Sequence, residues 1–164
     1  MRIQRSLPEA KRRRLRINYA ELLEVRELLV GNITAAFEDG RLLVTGDDEA
    51  NKTELVQSGD QLLLRGLDGT TVNGLASDFA LPATPAPNVE VALGKGPDEL
   101  LIKSVTLADV SINGGEGAET LTFDTVEAGS VFINSKANGD VISLTDLTTE
   151  ASIRVVGDLS LIHI

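Results

Sequence analysis

The chain has 164 residues and a net charge of −10, with aromatics at only 3% and no Trp or Cys. That length permits one ordinary domain, and its core must be built from small aliphatic and β-branched side chains, which suit thin stacked strands better than an aromatic-lined enzyme cleft. The lack of cysteine excludes disulfides, thiol catalysis and cysteine-ligated metals, and no stretch approaches the roughly 18 apolar residues of a transmembrane helix.

The charge is unevenly spread. Residues 1–26 hold eight Lys or Arg against three Glu, or +5, which leaves seven basic and 22 acidic groups, or −15, on the remainder. An acidic body repels nucleic acid and anionic membrane, so neither is expected as its partner. It is compatible with cation binding and equally with a solvated surface that keeps an exported protein soluble.

In chain order, residues 8–30 carry the one helical pattern. Pro8 suits a first turn, Leu15, Tyr19, Leu22, Leu23, Leu29 and Val30 recur at helical spacing, and Gly31-Asn32 can end the element. The Arg12–Arg14 run would suit nucleic acid, but export machinery and anionic lipid answer to the same signal, and that reading is preferred. No apolar signal-peptide core follows the run. Residues 1–32 are therefore expected to be a basic, helical, export- or sorting-like segment.

Residues 33–75 carry the punctuation of strands and tight turns. Glu38-Asp39-Gly40, Ser58-Gly59-Asp60 and Asp68-Gly69 separate short apolar runs, which predicts a small antiparallel meander. Leu42, Val44, Leu55, Leu62 and Leu64 are the candidates for its buried face. Residues 76–88 include LPATPAPN, with three prolines in eight residues, and predict an extended loop or a degenerate coil with Phe79 and Leu81 facing in.

Residues 89–158 are a repeat. Cutting at Val89, Val110 and Val131 gives VEVALGKGPDELLIKSVTLAD, VSINGGEGAETLTFDTVEAGS and VFINSKANGDVISLTDLTTEA (89–109, 110–130 and 131–151), which align without a gap. Five columns are apolar in all three units: Val89, Val110 and Val131 at position 1; Val91, Ile112 and Ile133 at position 3; Leu100, Leu121 and Ile142 at position 12; Ile102, Phe123 and Leu144 at position 14; Val105, Val126 and Leu147 at position 17. A partial fourth unit, 153–158, begins at Ile153, one residue late. Alternation at period two fits strands with one buried face, and each unit alone has too little apolar surface to fold. Stacked in register, the columns become continuous ladders. The expected fold is thus all-β, with an N-terminal helix, a small meander and then a parallel β-helix or solenoid of about 21 residues per coil. An antiparallel sandwich is the competing architecture, but it has no need of gapless columns.

Gly94-Lys95-Gly96-Pro97-Asp98-Glu99-Leu100 resembles the calcium-binding turn of RTX-type nonapeptide repeats, in which glycines let backbone carbonyls converge and an acid supplies a hard oxygen. The resemblance implies calcium as a cofactor and Asp98, Glu119 and Asp140 as its ligands. The glycines decay in the later units, and the period is 21 rather than the roughly 18 of two stacked nonapeptides. Lys95 and Lys136 add positive charge to the same turns. The alternative is that small and acidic residues simply suit solvent-exposed turns.

Little else carries chemistry. The single histidine is His163, and Asp47-Asp48 lies in a turn-rich segment where solvation explains it better than acid–base work. The repeats hold one arginine, Arg154, and neither Tyr nor Trp, so a catalytic face is not expected and the chain is read as not an enzyme.

Leu23-Glu24-Val25-Arg26-Glu27-Leu28-Leu29 resembles the L-E-P-R-x-L-L segment near the N-terminus of large exported planctomycete-type proteins, with Val25 in place of proline. LLVTGDD at 42–48, LDGTTVNG at 67–74 and the Gly/Asp-rich repeats follow in the order found there, so the resemblance spans most of the chain. It implies a secreted or cell-surface protein of great length with a structural or adhesive role. Its expected partners are extracellular matrix, polysaccharide or other surface proteins. Residues 159–164, LSLIHI, look like one reading frame of a transposon-type sequencing-library adapter, which implies an array cut short and a His163 without meaning. Three functions are carried forward: a non-catalytic structural or adhesive β-solenoid, a calcium-binding RTX-like module, and the N-terminal part of a carbohydrate-active β-helix enzyme.

Overall fold

The computed structural model describes residues 31–136, 139–157 and 159–163. The helix expected over residues 8–30 lies outside the described residues. Within them there is no helix, and the chain forms β1 (Asn32–Glu38), β2 (Arg41–Thr45), β3 (Lys52–Ser58), β4 (Gln61–Gly66), β5 (Thr71–Val72), β6 (Phe79–Pro82), β7 (Asn88–Ala92), β8 (Glu99–Asn113), β9 (Thr120–Asn134), β10 (Asp140–Val156) and β11 (Leu159–His163).

The repeat is a β-solenoid. β8 pairs in parallel with β9, and β9 with β10, at a register of 21 residues, so that Val110 stands beside Val131, Leu100 beside Leu121 and Leu121 beside Ile142. All three members of the columns at positions 1, 3, 12 and 14 are buried, as are Val105 and Val126 at position 17, with Leu147 packed against the core. No unit could bury these side chains by itself, and each β-strand gains a wall only by lying against its copy one coil away.

The buried face changes phase twice along each coil. Leu100 and Ile102 point in, then Val105 and Leu107, then Val110 and Ile112, with three residues instead of two at each handover. A strand that alternates strictly cannot do this, so the fifteen-residue strand β8 is bent into three short sides. The first bend falls at Ser104, and its equivalents Thr125 and Asp146 repeat it, all with positive φ (49°, 58° and 50°). The second side adds a column the sequence did not reveal, Leu107 and Ala128 at position 19, where Thr149 replaces the aliphatic residue in the third unit.

The late start of the fourth unit is a register shift. Thr149 pairs with Ala128 but Ser152 pairs with Ser130, so one extra residue is accommodated before Ile153 meets Val131. Core burial fades there, with Ile153 and Val156 exposed. β11 then continues the stack in parallel beside Asp140–Ser143.

The segment before the repeat differs from the expected meander. Two separate hairpins, β1–β2 and β3–β4, form around Asp39-Gly40 and Gly59-Asp60. β2 does not pair with β3. Instead β2 lies parallel to β7 and β3 parallel to the first part of β8, placing Leu42 and Val44 beside Val89 and Val91, and Thr53 and Leu55 beside Leu100 and Ile102. The inner strand of each hairpin therefore acts as a coil before the first coil. The outer strands β1 and β4 turn back antiparallel, with β5 on β1 and β6 on β4, which ends the solenoid rather than extending it. The five residues expected on the buried face are all buried, with Leu42, Val44 and Leu55 beside coil strands and Leu62 and Leu64 one strand further out. Phe79 and Leu81 belong to no coil: they pair with Leu64 and Leu62 on the outer side of the cap.

Candidate functional site

The acidic column of the repeat supplies the candidate site, and its surroundings are not those of a turn. Asp98, Glu119 and Asp140 are 2%, 1% and 1% exposed. The expectation of solvent-exposed turn acids is thereby corrected. Each residue stands at the point where the turn re-enters the first side of the coil, two places before the buried position 12, and the stacking of coils closes over it.

The column begins earlier than the sequence suggested. Because Lys52 pairs with Glu99, Asn51 occupies the same position in the cap. Its backbone N–H donates to Asp98 Oδ1 at 2.8 Å, and its Nδ2 donates to the same oxygen at 3.2 Å. One step on, the Glu119 N–H donates to Asp140 Oδ1 at 3.0 Å, and Ser135 Oγ donates to Asp140 Oδ2. Glu119, one methylene longer, reaches back into its own turn and accepts from the Gly115 N–H at 3.0 Å. Among the described residues, Asp98 Oδ2 and Glu119 Oε2 are buried without a hydrogen-bond partner. The signal that could have found Asn51 is the match of Asn51-Lys52-Thr53-Glu54-Leu55 to Asp98-Glu99-Leu100-Leu101-Ile102. Ser135 and the Gly115 amide have no comparable signal.

Burial dominates the electrostatics. Desolvation pushes the Asp98 carboxyl up to about 6, assisted by repulsion from Asp47 and opposed by the Asn51 donors. Desolvation pushes Glu119 up to about 8, and the Asp140 carboxyl, close enough to hydrogen-bond with it and to repel its charge, pushes in the same direction. The outcome for Asp47 is opposite. Its partial burial is outweighed by donors from the backbone of Asn32 (2.8 Å) and Glu49 (3.0 Å) and from Asn51 Nδ2 (3.1 Å), which hold its pKa below the usual value. Asp47 is thus a turn-organising residue, while Asp48 is exposed and pairs with Lys95 at 3.3 Å. The Asp47-Asp48 pair is explained without acid–base chemistry.

The same geometry tests the calcium expectation. A calcium ion takes about six to eight oxygens converging at about 2.3–2.6 Å. Here the carboxylates stack one behind the other, and among the described residues no group of three or more His, Cys, Asp or Glu is arranged to hold a metal ion. The turn carbonyls that such a motif would aim at a cation accept coil-to-coil hydrogen bonds instead: Asp47 O from Lys95 N, Gly94 O from Glu116 N, and Glu116 O from Gly96 N. The glycines have their own explanation. A Cβ on Gly115 would lie 1.5 Å from Gly94 O, and one on Gly117 would lie 1.8 Å from Gly96 O, so glycine is what lets neighbouring turns stack. Among the described residues, these side chains and turn carbonyls do not assemble the oxygen shell that calcium requires.

Elsewhere the outer faces carry shallow grooves, polar in the first and richer in Ala, Leu and Gly in the second. One groove of about 660 Å³ is lined by Gln57, Ser104, Thr106, Glu127, Asp146 and Thr148 among others. A second, of about 450 Å³, adjoins it and adds Asp109 and Glu150. Arg154 lies over the ring of Phe132 in the adjacent coil, 5.6 Å from its centroid, a cation–π contact that braces the stack. No helix among the described residues is long and apolar enough to cross a membrane. Compared with protein-family models, with curated proteins and with solved structures, the chain matches none.

Proposed function

We propose that the chain is a non-catalytic structural or adhesive portion of a secreted or cell-surface protein, exported through its basic N-terminal segment and presenting its outer faces to matrix or polysaccharide. The observation that carries this reading is the parallel ladder from β7 through β10, which spends the repeat on extension. On its outer face it leaves a shallow groove lined by hydroxyls and carboxylates of Ser104, Thr106, Glu127, Asp146 and Thr148, a surface suited to hydrated polymers. An acidic body of this kind also remains soluble at high local concentration.

The test is to mix the chain with a panel of insoluble polysaccharides and cell-wall preparations, then measure both retention and released sugar. The proposal expects retention on at least one polymer with no soluble product. Time-dependent release of oligosaccharide would instead establish the carbohydrate-active reading.

A further inference from the structure

The tenth position of three successive coils is acidic, and the coils bring those acids together in the dry interior. An ionised carboxylate there loses its water and faces a like charge one coil away, both of which disfavour the charged form. The donors available are few. Among the described residues Asp98 accepts from Asn51 and Glu119 from the Gly115 amide, and the donors to Asp140 include the Glu119 amide and Ser135 Oγ. Among the described residues, one oxygen of Asp98 and one of Glu119 have no donor, and the two residues are 2% and 1% exposed. A proton placed on such an oxygen turns an orphan acceptor into a donor.

We infer that this column is filled by protons and not by a cation: Glu119 folds as the neutral acid and donates to the Asp140 carboxylate, so that acid favours the stacking of the coils. The charged groups around Glu119 agree with this. Asp98 faces it from the coil before and Asp140 from the coil after, and both are acids, with Asp47 beyond Asp98. Lys95, Glu116 and Lys136 stand on the same turns but are exposed, and Lys95 is engaged by Asp48. Among the described residues, no ion pair from Lys or Arg reaches Asp98 or Glu119.

The sign of the consequence follows from linkage. The pKa of Glu119 is raised from 4.5 to about 8 by desolvation and by Asp140. The folded state therefore holds a proton that the unfolded chain releases, and the stabilisation is complete below 4.5 and is lost as pH rises through about 8. Asp47 has the opposite sign, but its window lies below 3.8 and does not overlap. A calcium-held column would behave in reverse, since metal binding needs the ionised carboxylates and strengthens as pH rises.

Thermal melts of the full chain from about pH 5 to about pH 9 test this, with Glu119→Gln as the variant, because a neutral amide keeps both a donor for Asp140 and an acceptor for Gly115. The melting temperature of the natural chain should fall across that range, while the variant should show a shallower fall and melt above the natural chain at the alkaline end. Carbon NMR of the Glu119 carboxyl gives a readout that needs no variant, and its midpoint should lie far above that of an ordinary glutamate. A flat natural profile, an ordinary midpoint, or an alkaline melting temperature raised by added calcium and lowered by chelator would overturn the inference. If Glu119→Gln does not fold, the natural profile and the NMR midpoint decide.

Discussion

Thr125 holds a β-branched side chain at φ 58°, a conformation that L-residues with branching at Cβ avoid. Its equivalents Ser104 and Asp146, neither branched at Cβ, stand at 49° and 50°, so the left-handed corner belongs to the coil and the branched residue in it to Thr125 alone. The left-handed region costs an L-residue about 1–2 kcal/mol, and Asn tolerates it best. Thr125→Asn should therefore raise stability by about 1 kcal/mol in chemical denaturation. No gain, or a loss, would mean that the Thr125 side chain is needed where it stands. Gly115 offers the opposite case. Its missing Cβ leaves space for the Gly94 carbonyl 1.5 Å from where that atom would be, so Gly115→Ala must push two turns apart. It should cost about 3 kcal/mol or more, as overpacking at backbone does. Gly40→Ala, with nothing within 4 Å of its Cβ, should cost only the strain of its φ of 74°. Comparable losses for the two would remove the stacking explanation for the turn glycines.

At the scale of elements, the ladder predicts a gradient along the stack. Among the described residues Phe123 is the largest fully buried side chain, flanked on both sides by Ile102 and Leu144. Phe123→Ala should cost about 3–5 kcal/mol, whereas Ile153→Ala, at a residue 44% exposed, should cost well under half of that. Denaturation midpoints of the two variants check this, and equal losses would mean the last coil is as well covered as the second. These elements also show what could be read from residues alone. Position-1, 3, 12, 14 and 17 columns were legible because side chains that stack on copies of themselves keep the same chemistry every 21 residues. The column at position 19 was hidden because Ala128 and Thr149 are too small or too polar to mark a core. The cap was hidden for a different reason. Period-two alternation is identical in parallel and antiparallel strands, so the two Asp-Gly and Ser-Gly-Asp turns revealed the hairpins, but nothing local told β2 and β3 to lie on β7 and β8. The acidic column was legible as a position and misread as an environment. Gly, Asn and Asp around it have the composition of a solvated turn, and only the closing of one coil over the next buries Asp98, Glu119 and Asp140.

At the scale of the molecule, these features form one argument. A chain poor in aromatics builds its interior from thin aliphatic ladders, and the hairpins at residues 32–66 give the first ladder a wall. Asp98 and Glu119, on successive coils, are both pushed up by desolvation, so acid favours the stack at two neighbouring steps. All of it depends on the coils lying in parallel at a register of 21. The natural chain has no cysteine, so a pair introduced across one step reports that register without interference. Thr122 and Ser143 stand opposite each other in β9 and β10. Strand spacing puts their Cα atoms about 4.8 Å apart, inside the roughly 4.4–6.8 Å that a disulfide spans. Thr122→Cys with Ser143→Cys should cross-link nearly completely under mild oxidation, while Thr122→Cys with Thr145→Cys, about 8 Å apart by strand geometry, should not. A missing cross-link in the first pair, or equal cross-linking in the second, would contradict the stacked solenoid.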